Sequence, residues 1–192
     1  LAIILLAGGG SFAVERFSTE RYYEELTQRL NGSIAMYVTG GRTLIESGVV
    51  NQEALALLAQ QAMIINPTVE IYLLDQQGNI LGHALPPGEL QTSWIDPAPL
   101  RQMMSGKVKL PFHSTDPRNL QRKKVFSVSE VIHEGQLQGY LYAILGGKRY
   151  DELASSIRGS YVQQVSLGAM AAILLATLLT GLLVFGLLTR RL

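Results

Sequence analysis

The stretch "IYLLDQQGNILGH", Ile71 to His83, places two apolar runs on either side of a polar segment. The first run, from Val69 to Leu74, is rich in β-branched, aliphatic and aromatic residues. The polar segment, Asp75 to Asn79, contains a glycine that tolerates positive φ, and Ile80 and Leu81 then resume the apolar pattern. This pattern predicts a β-hairpin within an antiparallel sheet, and such a sheet decides the fold.

An amphipathic helix is predicted before the hairpin, in "FSTERYYEELTQRLNGSIAMYV". Its apolar positions recur at steps of three and four residues and form a stripe: Tyr23, Leu26, Leu30, Ile34 and Tyr37. Charged and polar residues fill the opposite side. The spacing approaches that of a coiled-coil seam, so the stripe either pairs with a second copy of the chain or packs against the chain's own sheet.

Further elements follow from local signals along the chain. A helix is predicted from Asn51, a good N-cap, to Asn66-Pro67, which stops it. The remaining predictions are a short helix near Pro99 to Met104, two strands at Val125–Ile132 and Gly139–Leu145 joined by a turn at Glu134, and a last helix from about Arg149. The sequence therefore predicts two helices, two strands, an irregular loop, two strands and a helix.

The ends of the chain are apolar. No charged residue occurs from Gly159 to Thr189, and a membrane-spanning helix needs about 20 apolar residues to cross ~30 Å of hydrocarbon. We therefore expect a transmembrane helix there. "LAIILLAGGGSFAV", Leu1 to Val14, is expected to be the outer part of a first span that begins before this sequence. Arg190 and Arg191 follow the second span and predict a cytoplasmic C-terminus, with the middle segment outside.

Composition and motifs exclude several kinds of chemistry. The net charge is +1 and 16% of residues are charged, which does not favour nucleic acid as a partner. The absence of cysteine excludes disulfides and thiol chemistry. The three histidines, His83, His113 and His133, lack the spacing of metal ligands, and no phosphate-binding loop or nucleophile elbow is present. We therefore predict no catalytic residue, metal or cofactor within this sequence.

Two sets of residues are candidates for ligand binding. The segment "DPRNLQRKK", Asp116 to Lys124, concentrates cationic side chains, of which we select Arg118, Arg122 and Lys123. It is either a solvated loop or a site for an anion, since arginine offers a planar fork to carboxylates and phosphates. Tyr72 and Tyr140, with neighbouring aromatic residues, either line a pocket on an open face of the sheet or belong to its core.

Four runs together resemble a known family: "QRLNGSIAMYV", "INPTVEIYLLDQQGNILGH", "STDPRNLQRKKVFSVSEV" and "GYLYAILGGKRYDE". They look like the periplasmic sensor region of bacterial transmembrane histidine kinases. The resemblance implies an α+β fold of the PAS-like, Cache type, with an antiparallel sheet and a long N-terminal helix between two transmembrane helices. The implied divisions are a first span within residues 1–16, a sensor domain at 17–162, a second span at 163–189 and the start of a HAMP junction at 190–192.

The same resemblance implies a function. The sequence is expected to be the signal-sensing and transmembrane input module of a homodimeric histidine kinase in the bacterial inner membrane. The kinase domain, with its ATP and Mg²⁺, lies outside this sequence and would pass phosphate to a response regulator. The stimulus, a small molecule or ion, is not predicted. The alternatives are the sensor of a chemoreceptor or a diguanylate cyclase, and a membrane-tethered periplasmic enzyme or assembly protein.

Overall fold

A computed structural model describes residues 2–40, 42–46, 49–147 and 161–189. The chain forms two units, residues 1–149 and residues 150–192. The first unit contains helices and an antiparallel sheet, so the predicted α+β class is confirmed. The second unit is described from residue 161 and consists of one helix.

The helices are α1 (Ala2–Asn31), α2 (Ile34–Thr39), α3 (Gln52–Ile65), α4 (Pro97–Met104) and α5 (Tyr161–Thr189). The strands are β1 (Ile45–Glu46), β2 (Val49–Val50), β3 (Glu70–Leu74), β4 (Ile80–His83), β5 (His113–Asp116), β6 (Asn119–His133) and β7 (Gln136–Ile144).

The main sheet has five strands in the order β4-β3-β7-β6-β5, and every neighbouring pair is antiparallel. Strands β3 and β4 form the predicted hairpin. Its turn is held by the carboxylate of Asp75, which accepts hydrogen bonds from the backbone of Gln77 and from both the backbone and side chain of Asn79. Gly78 supplies the positive φ, +92°, that the turn requires.

Side chains alternate along the strands and so point to both faces of the sheet. Each face is covered by other parts of the chain. Ile71 and Leu73 point to one face, which α2 and α3 cover, and we call this the helix-covered face. Tyr72 and Leu74 belong to the opposite cluster. Residues 84–95, which we call the strap, and helix α4 contribute to that cluster, so we call this the strap-covered face. Its buried residues are Tyr72, Leu74, Ile95, Leu100, Phe126, Tyr140, Tyr142 and Ile144.

Helix α3 begins and ends as predicted. The side chain of Asn51 accepts a hydrogen bond of 2.9 Å from the backbone N–H of Ala54, and Asn66 follows the last helical residue. Leu55, Leu58, Ala59 and Ala62 form its buried side, at helical spacing. The short helix α4 begins two residues earlier than predicted, after Asp96 caps it.

The prediction of one continuous amphipathic helix through Tyr37 is wrong. Helix α1 ends at Asn31, and α2 begins anew at Ile34. The hydroxyl of Ser127 in β6 holds the break, because it donates to the carbonyl of Gly32 (2.6 Å) and accepts from the N–H of Ala35 (3.2 Å). Tertiary hydrogen bonds thus satisfy backbone groups that a continuous helix would have used.

The segment "DPRNLQRKK" is a hairpin and not a loop, which corrects the first of its two interpretations. Strand β6 begins at Asn119, six residues before the predicted start, and pairs with β5, which was not predicted. The side chains from Leu120 to Lys123 are exposed, so this part of the strand lacks the apolar alternation that would have revealed it.

Helix α5 contains a stretch suited to a membrane. Within the described residues, the helix long and apolar enough to cross a bilayer is the one containing Gly168–Leu187, whose mean hydropathy is 2.4. Its large apolar side chains, such as Leu182 and Phe185, are exposed in the chain. The apolar N-terminal residues are helical from Ala2, but a first span remains a prediction. The predicted helix at 149–160 and Arg190–Arg191 lie outside the described residues.

Candidate functional site

Arg118 lies in the tight turn between β5 and β6. The carboxylate of Asp116 accepts a hydrogen bond of 2.9 Å from the backbone N–H of Arg118 and so fixes the turn. The arginine side chain points inwards and is only 13% exposed. A guanidinium cannot lose its charge in a protein, so this position requires anionic partners.

Two carboxylates supply that charge. The Nη1 of Arg118 donates to Glu70 Oε1 at 2.6 Å, and its Nη2 forms an ion pair with Glu89 Oε2. Glu70 is the first residue of β3, whereas Glu89 belongs to the strap. The guanidinium therefore joins the hairpin turn, the start of a central strand and the irregular cover of the sheet. We call Glu70, Glu89, Arg118 and Asp116 the Arg118 network.

Tyr72 extends the network into the strap-covered face. Its hydroxyl donates to Glu70 Oε2 at 3.0 Å, which leaves Oε1 for the arginine. Burial raises the pKa of the Tyr72 phenol far above its usual value, and the neighbouring charge of Glu70 raises it further. The phenol therefore stays protonated and acts as a donor. In the network, the carboxylates of Glu70 and Glu89 thus contact the guanidinium, and that of Asp116 fixes the turn that carries it.

The network is adjacent to the end of the sheet where β7 leaves it. The carboxyl group of Glu70 packs on Gly147, and a Cβ at Gly147 would overlap it. Gly147 donates its backbone N–H to the carbonyl of Thr68 (2.9 Å), and the Thr68 hydroxyl donates to the carbonyl of Leu145 (3.0 Å). A movement of Glu70 would therefore change the packing at Gly147, from which the chain continues towards α5.

The strap is attached to the same hairpin turn. The backbone N–H of Gln91 donates to the carbonyl of Pro117 at 2.9 Å, next to the ion pair of Glu89 with Arg118. Leu85 and Leu90 pack against the buried cluster of the strap-covered face. Between these anchors Gly88 has a φ of +80° and is exposed. The strap is thus held by one ion pair, by hydrogen bonds and by the apolar contacts of Leu85, Leu90 and the fully buried Ile95.

Polar groups join helix α1 to β5 and β6, the two strands at one edge of the sheet. The buried side chain of Gln28 donates to the carbonyls of Phe112 and Phe126 and accepts from the N–H of Phe112. One turn earlier, Glu24 Oε2 lies 3.0 Å from His113 Nε2. These contacts fix the register of α1 against β5 and β6. The roles of Gln28 and Glu24 were not predicted, because polar residues on an amphipathic helix are normally assigned to solvent.

The structure brings together only part of the predicted ligand-binding set. Arg118 and Tyr72 meet through Glu70. Arg122 and Lys123 are exposed on β6, and Tyr140 is a core residue that is 4% exposed. Of the two alternatives for the aromatic residues, the structure shows the core, because the strap and α4 cover that face and its aromatic side chains pack on one another.

Glu70 and Glu89 were missed, although the sequence held one signal for the first. A carboxylate within the apolar strand "EIYLL" needs a buried cation, but the sequence does not say which cation, since Arg118 lies 48 residues away. Glu89 lies in a proline-rich segment without periodicity and gave no signal at all. In the described part of the chain, no group of three or more acidic or histidine side chains is arranged to hold a metal ion.

The predicted dimer stripe is divided between two helices. Tyr23, Leu26 and Leu30 on α1 and Tyr37 on α2 are exposed, whereas Ile34 is 4% exposed and belongs to the core of the helix-covered face. Ile34 is therefore an intramolecular contact. Pairing of two chains through the exposed members remains a prediction.

Comparison with known proteins does not assign the chain to a family. No protein-family model matches it, and no curated protein matches it. The function must therefore be argued from the fold, the Arg118 network and the sequence resemblance.

Proposed function

We propose that this chain is the extracytoplasmic signal-sensing and transmembrane input module of a bacterial sensor histidine kinase. The observation that carries the proposal is the position of the Arg118 network. A charged, buried site lies at the end of a central sheet, against the glycine from which the chain continues towards an apolar helix of membrane-spanning length. A sensor needs this order of parts, because a signal must act on the element that leads to the membrane.

The physical basis is a shift between two arrangements of the sensor. A stimulus changes output only through its different affinity for the two arrangements, about 1.4 kcal/mol for each tenfold change in their ratio. Glu70 is a suitable point of transmission since it contacts both Arg118 and Gly147. The proposed assembly is a homodimer in the inner membrane, with the sensor in the periplasm and the C-terminus in the cytoplasm.

The proposal assigns no catalytic residue or cofactor to this segment. ATP and Mg²⁺ would bind a kinase domain that follows Leu192 in the parent protein, and a response regulator would receive the phosphate. The resemblance in sequence supports this output, and the fold is compatible with it.

The first test is the orientation in the membrane. Gly106 is exposed, has a φ of +69° and has open space around it, so it is a suitable site for inserting a reporter. Alkaline phosphatase inserted at Gly106 should be active, because this enzyme needs the periplasm for its disulfides. The same reporter fused after Leu192 should be inactive. An inactive insertion at Gly106 with an active fusion after Leu192 would reject the orientation.

The second test concerns the output. Membranes containing the full-length parent protein should incorporate radioactive phosphate from ATP into an acid-labile, base-stable form, as expected for phosphohistidine. The control is the same membrane preparation without the protein. If no such phosphate forms while cyclic diguanylate is produced from GTP, the kinase assignment is wrong and a cyclase is the output.

A further inference from the structure

The strap presents two adjacent side chains of different character to the sheet. Glu89 forms an ion pair with Arg118, and Leu90 packs against the buried cluster of the strap-covered face. The strap therefore places a carboxylate on the guanidinium of Arg118 and, at the next residue, a branched apolar side chain on the apolar cluster. A small molecule with these two groups would satisfy the same surroundings.

Glu89 is the exchangeable partner of the arginine. Its side chain is 28% exposed, whereas that of Glu70 is 9% exposed. If Glu89 leaves, Arg118 remains paired with Glu70, so no buried charge is left without a partner. Exchange of Glu89 for another carboxylate conserves the charge of the network and does not require Glu70 to move away.

The strap also has space beside it. A cleft of about 320 Å³ lies between Leu90 and strand β4, Ile80–His83, and Gln52 also lines it. Leu90 is thus packed on the core on one side and borders open space on the other. Gly88, which precedes the pair, has nothing within 4 Å of the position where a side chain would begin. In moving outwards, the Glu89–Leu90 pair would give up the ion pair with Arg118, the packing of Leu90 on the core and the neighbouring Gln91–Pro117 hydrogen bond.

We propose that Arg118 anchors a binding site for a small monocarboxylate with a branched aliphatic body, and that Glu89 and Leu90 of the strap occupy this site when no ligand is bound. The ligand carboxylate replaces that of Glu89 on the guanidinium, and its apolar body replaces Leu90. This assignment rests on the proposed sensing function, because it names the chemical class of the signal.

Ligand exchange has a direct route to the exit of the sheet. The guanidinium of Arg118 holds Glu70, and the Glu70 carboxyl packs on Gly147. A ligand that repositions the guanidinium changes the position of Glu70 and hence the contact at Gly147. The released strap at the same time loses the hydrogen bond from Gln91 to Pro117.

Binding is measured with 4-methylpentanoate, which combines a carboxylate with the carbon skeleton of a leucine side chain. The full chain is reconstituted in lipid nanodiscs, and 4-methylpentanamide serves as the uncharged probe. The wild-type protein should bind the acid and not the amide. Glu89→Gln should bind the acid about tenfold more tightly, because an uncharged amide competes less well than the Glu89 carboxylate for the guanidinium of Arg118. Glu53→Gln, at an exposed position in the first turn of α3, is the matched control and should bind as the wild type does.

Arg118→Lys keeps the positive charge but loses the planar fork, and it should bind the acid at least tenfold more weakly. Hydrogen exchange gives a readout that does not depend on affinity. Saturating 4-methylpentanoate should make the amides of residues 84–95 exchange faster, whereas a ligand clamped beneath an intact strap would slow them.

The proposal is overturned if Glu89→Gln binds the acid no better than the wild type, or if acid and amide bind alike, or if strap exchange slows. Neither the phosphatase fusions nor the phosphohistidine assay requires a ligand. A correct topology and kinase activity with failed binding would therefore reject this site alone, whereas failure of those two assays would reject the sensor function.

Discussion

The two faces of the central sheet are built in different ways. The helix-covered face is closed by α2 and α3, and its core consists of aliphatic side chains such as Leu58, Ile71 and Leu141. The strap-covered face is closed by an irregular segment and one short helix, and its core combines aromatic side chains such as Phe126 and Tyr142 with aliphatic ones. The Glu70–Arg118 ion pair joins the strap-covered core through Tyr72.

This difference separates stability from responsiveness. The aliphatic core beneath α2 and α3 adopts essentially one arrangement, because side chains in a close-packed core tolerate little displacement. The strap has no repeating hydrogen bonds of its own, and a buried ion pair adds little net stability while it is complete but costs much when it is broken. The strap-covered face is therefore the part of the domain that a change of charge can rearrange.

The largest effect is expected when the charge balance of the Arg118 network is broken. Arg118→Met should lower the free energy of unfolding by about 4 kcal/mol, because it leaves the buried carboxylate of Glu70 and the partly exposed carboxylate of Glu89 without their cation. The measurement is urea unfolding of the chain in a mild detergent, followed by the near-ultraviolet circular dichroism of its tyrosines.

A second substitution tests the cause of that loss. Adding Glu70→Gln to Arg118→Met removes one of the stranded charges and should recover part of the lost stability. If Glu70→Gln lowers the stability of the Arg118→Met variant by as much as it lowers that of the wild type, the two side chains are not coupled and the network does not act as a unit.

The helix-covered face should show a smaller effect that charge does not influence. Leu58→Ala on α3 should cost about 3 kcal/mol, because it leaves a cavity beneath a fully buried side chain. Leu57→Ala, at the neighbouring position where the side chain is 51% exposed, is the matched control and should cost less than about 0.5 kcal/mol. Equal losses in urea unfolding would mean that α3 does not pack on the sheet in this orientation.

The elements predicted best from the sequence are those whose turn or cap is formed by residues that are close to them along the chain. The hairpin of β3 and β4 and the helix α3 each carry their own turn or cap, namely Asp75 to Asn79 and Asn51. The start of β6 was missed because its exposed basic side chains show no apolar alternation. Helix α1 was extended too far because the residue that ends it, Ser127, lies 95 positions away from Gly32.

The site was predicted only in part for the same reason. A cluster of basic residues pointed to Arg118, but its partners lie in a strand 48 residues earlier and in a segment without pattern. Which of several cations becomes buried depends on the turn between β5 and β6 and not on composition. Arg122 and Lys123, which looked equivalent in the sequence, point to solvent because they lie in the exposed part of β6.

The smallest expected effect concerns Asp75, a carboxylate in a turn and outside both cores. Its slight burial alone would raise its pKa, but hydrogen bonds from the side chain and backbone of Asn79 and from the backbone of Gln77 outweigh that effect and lower the pKa below its usual 3.8. A lowered pKa in the folded state means that the ionised form stabilises the fold above the usual pKa, and that this contribution is lost as the pH falls through the lowered value.

Asp75→Asn should therefore cost less than about 1 kcal/mol at pH 7, since an amide oxygen can still accept these hydrogen bonds but more weakly than a carboxylate. The difference between variant and wild type should shrink as the pH falls below 3.8 and through the lowered pKa, because the wild-type carboxylate then becomes protonated. Urea unfolding of both proteins at several pH values measures this. Arg118→Met is the useful contrast, because its loss comes from a broken ion pair in the strap-covered face and not from the hydrogen bonds of a turn. A loss for Asp75→Asn as large as that for Arg118→Met would show that the hairpin turn, and not the strap-covered face, is where this domain is most sensitive to charge.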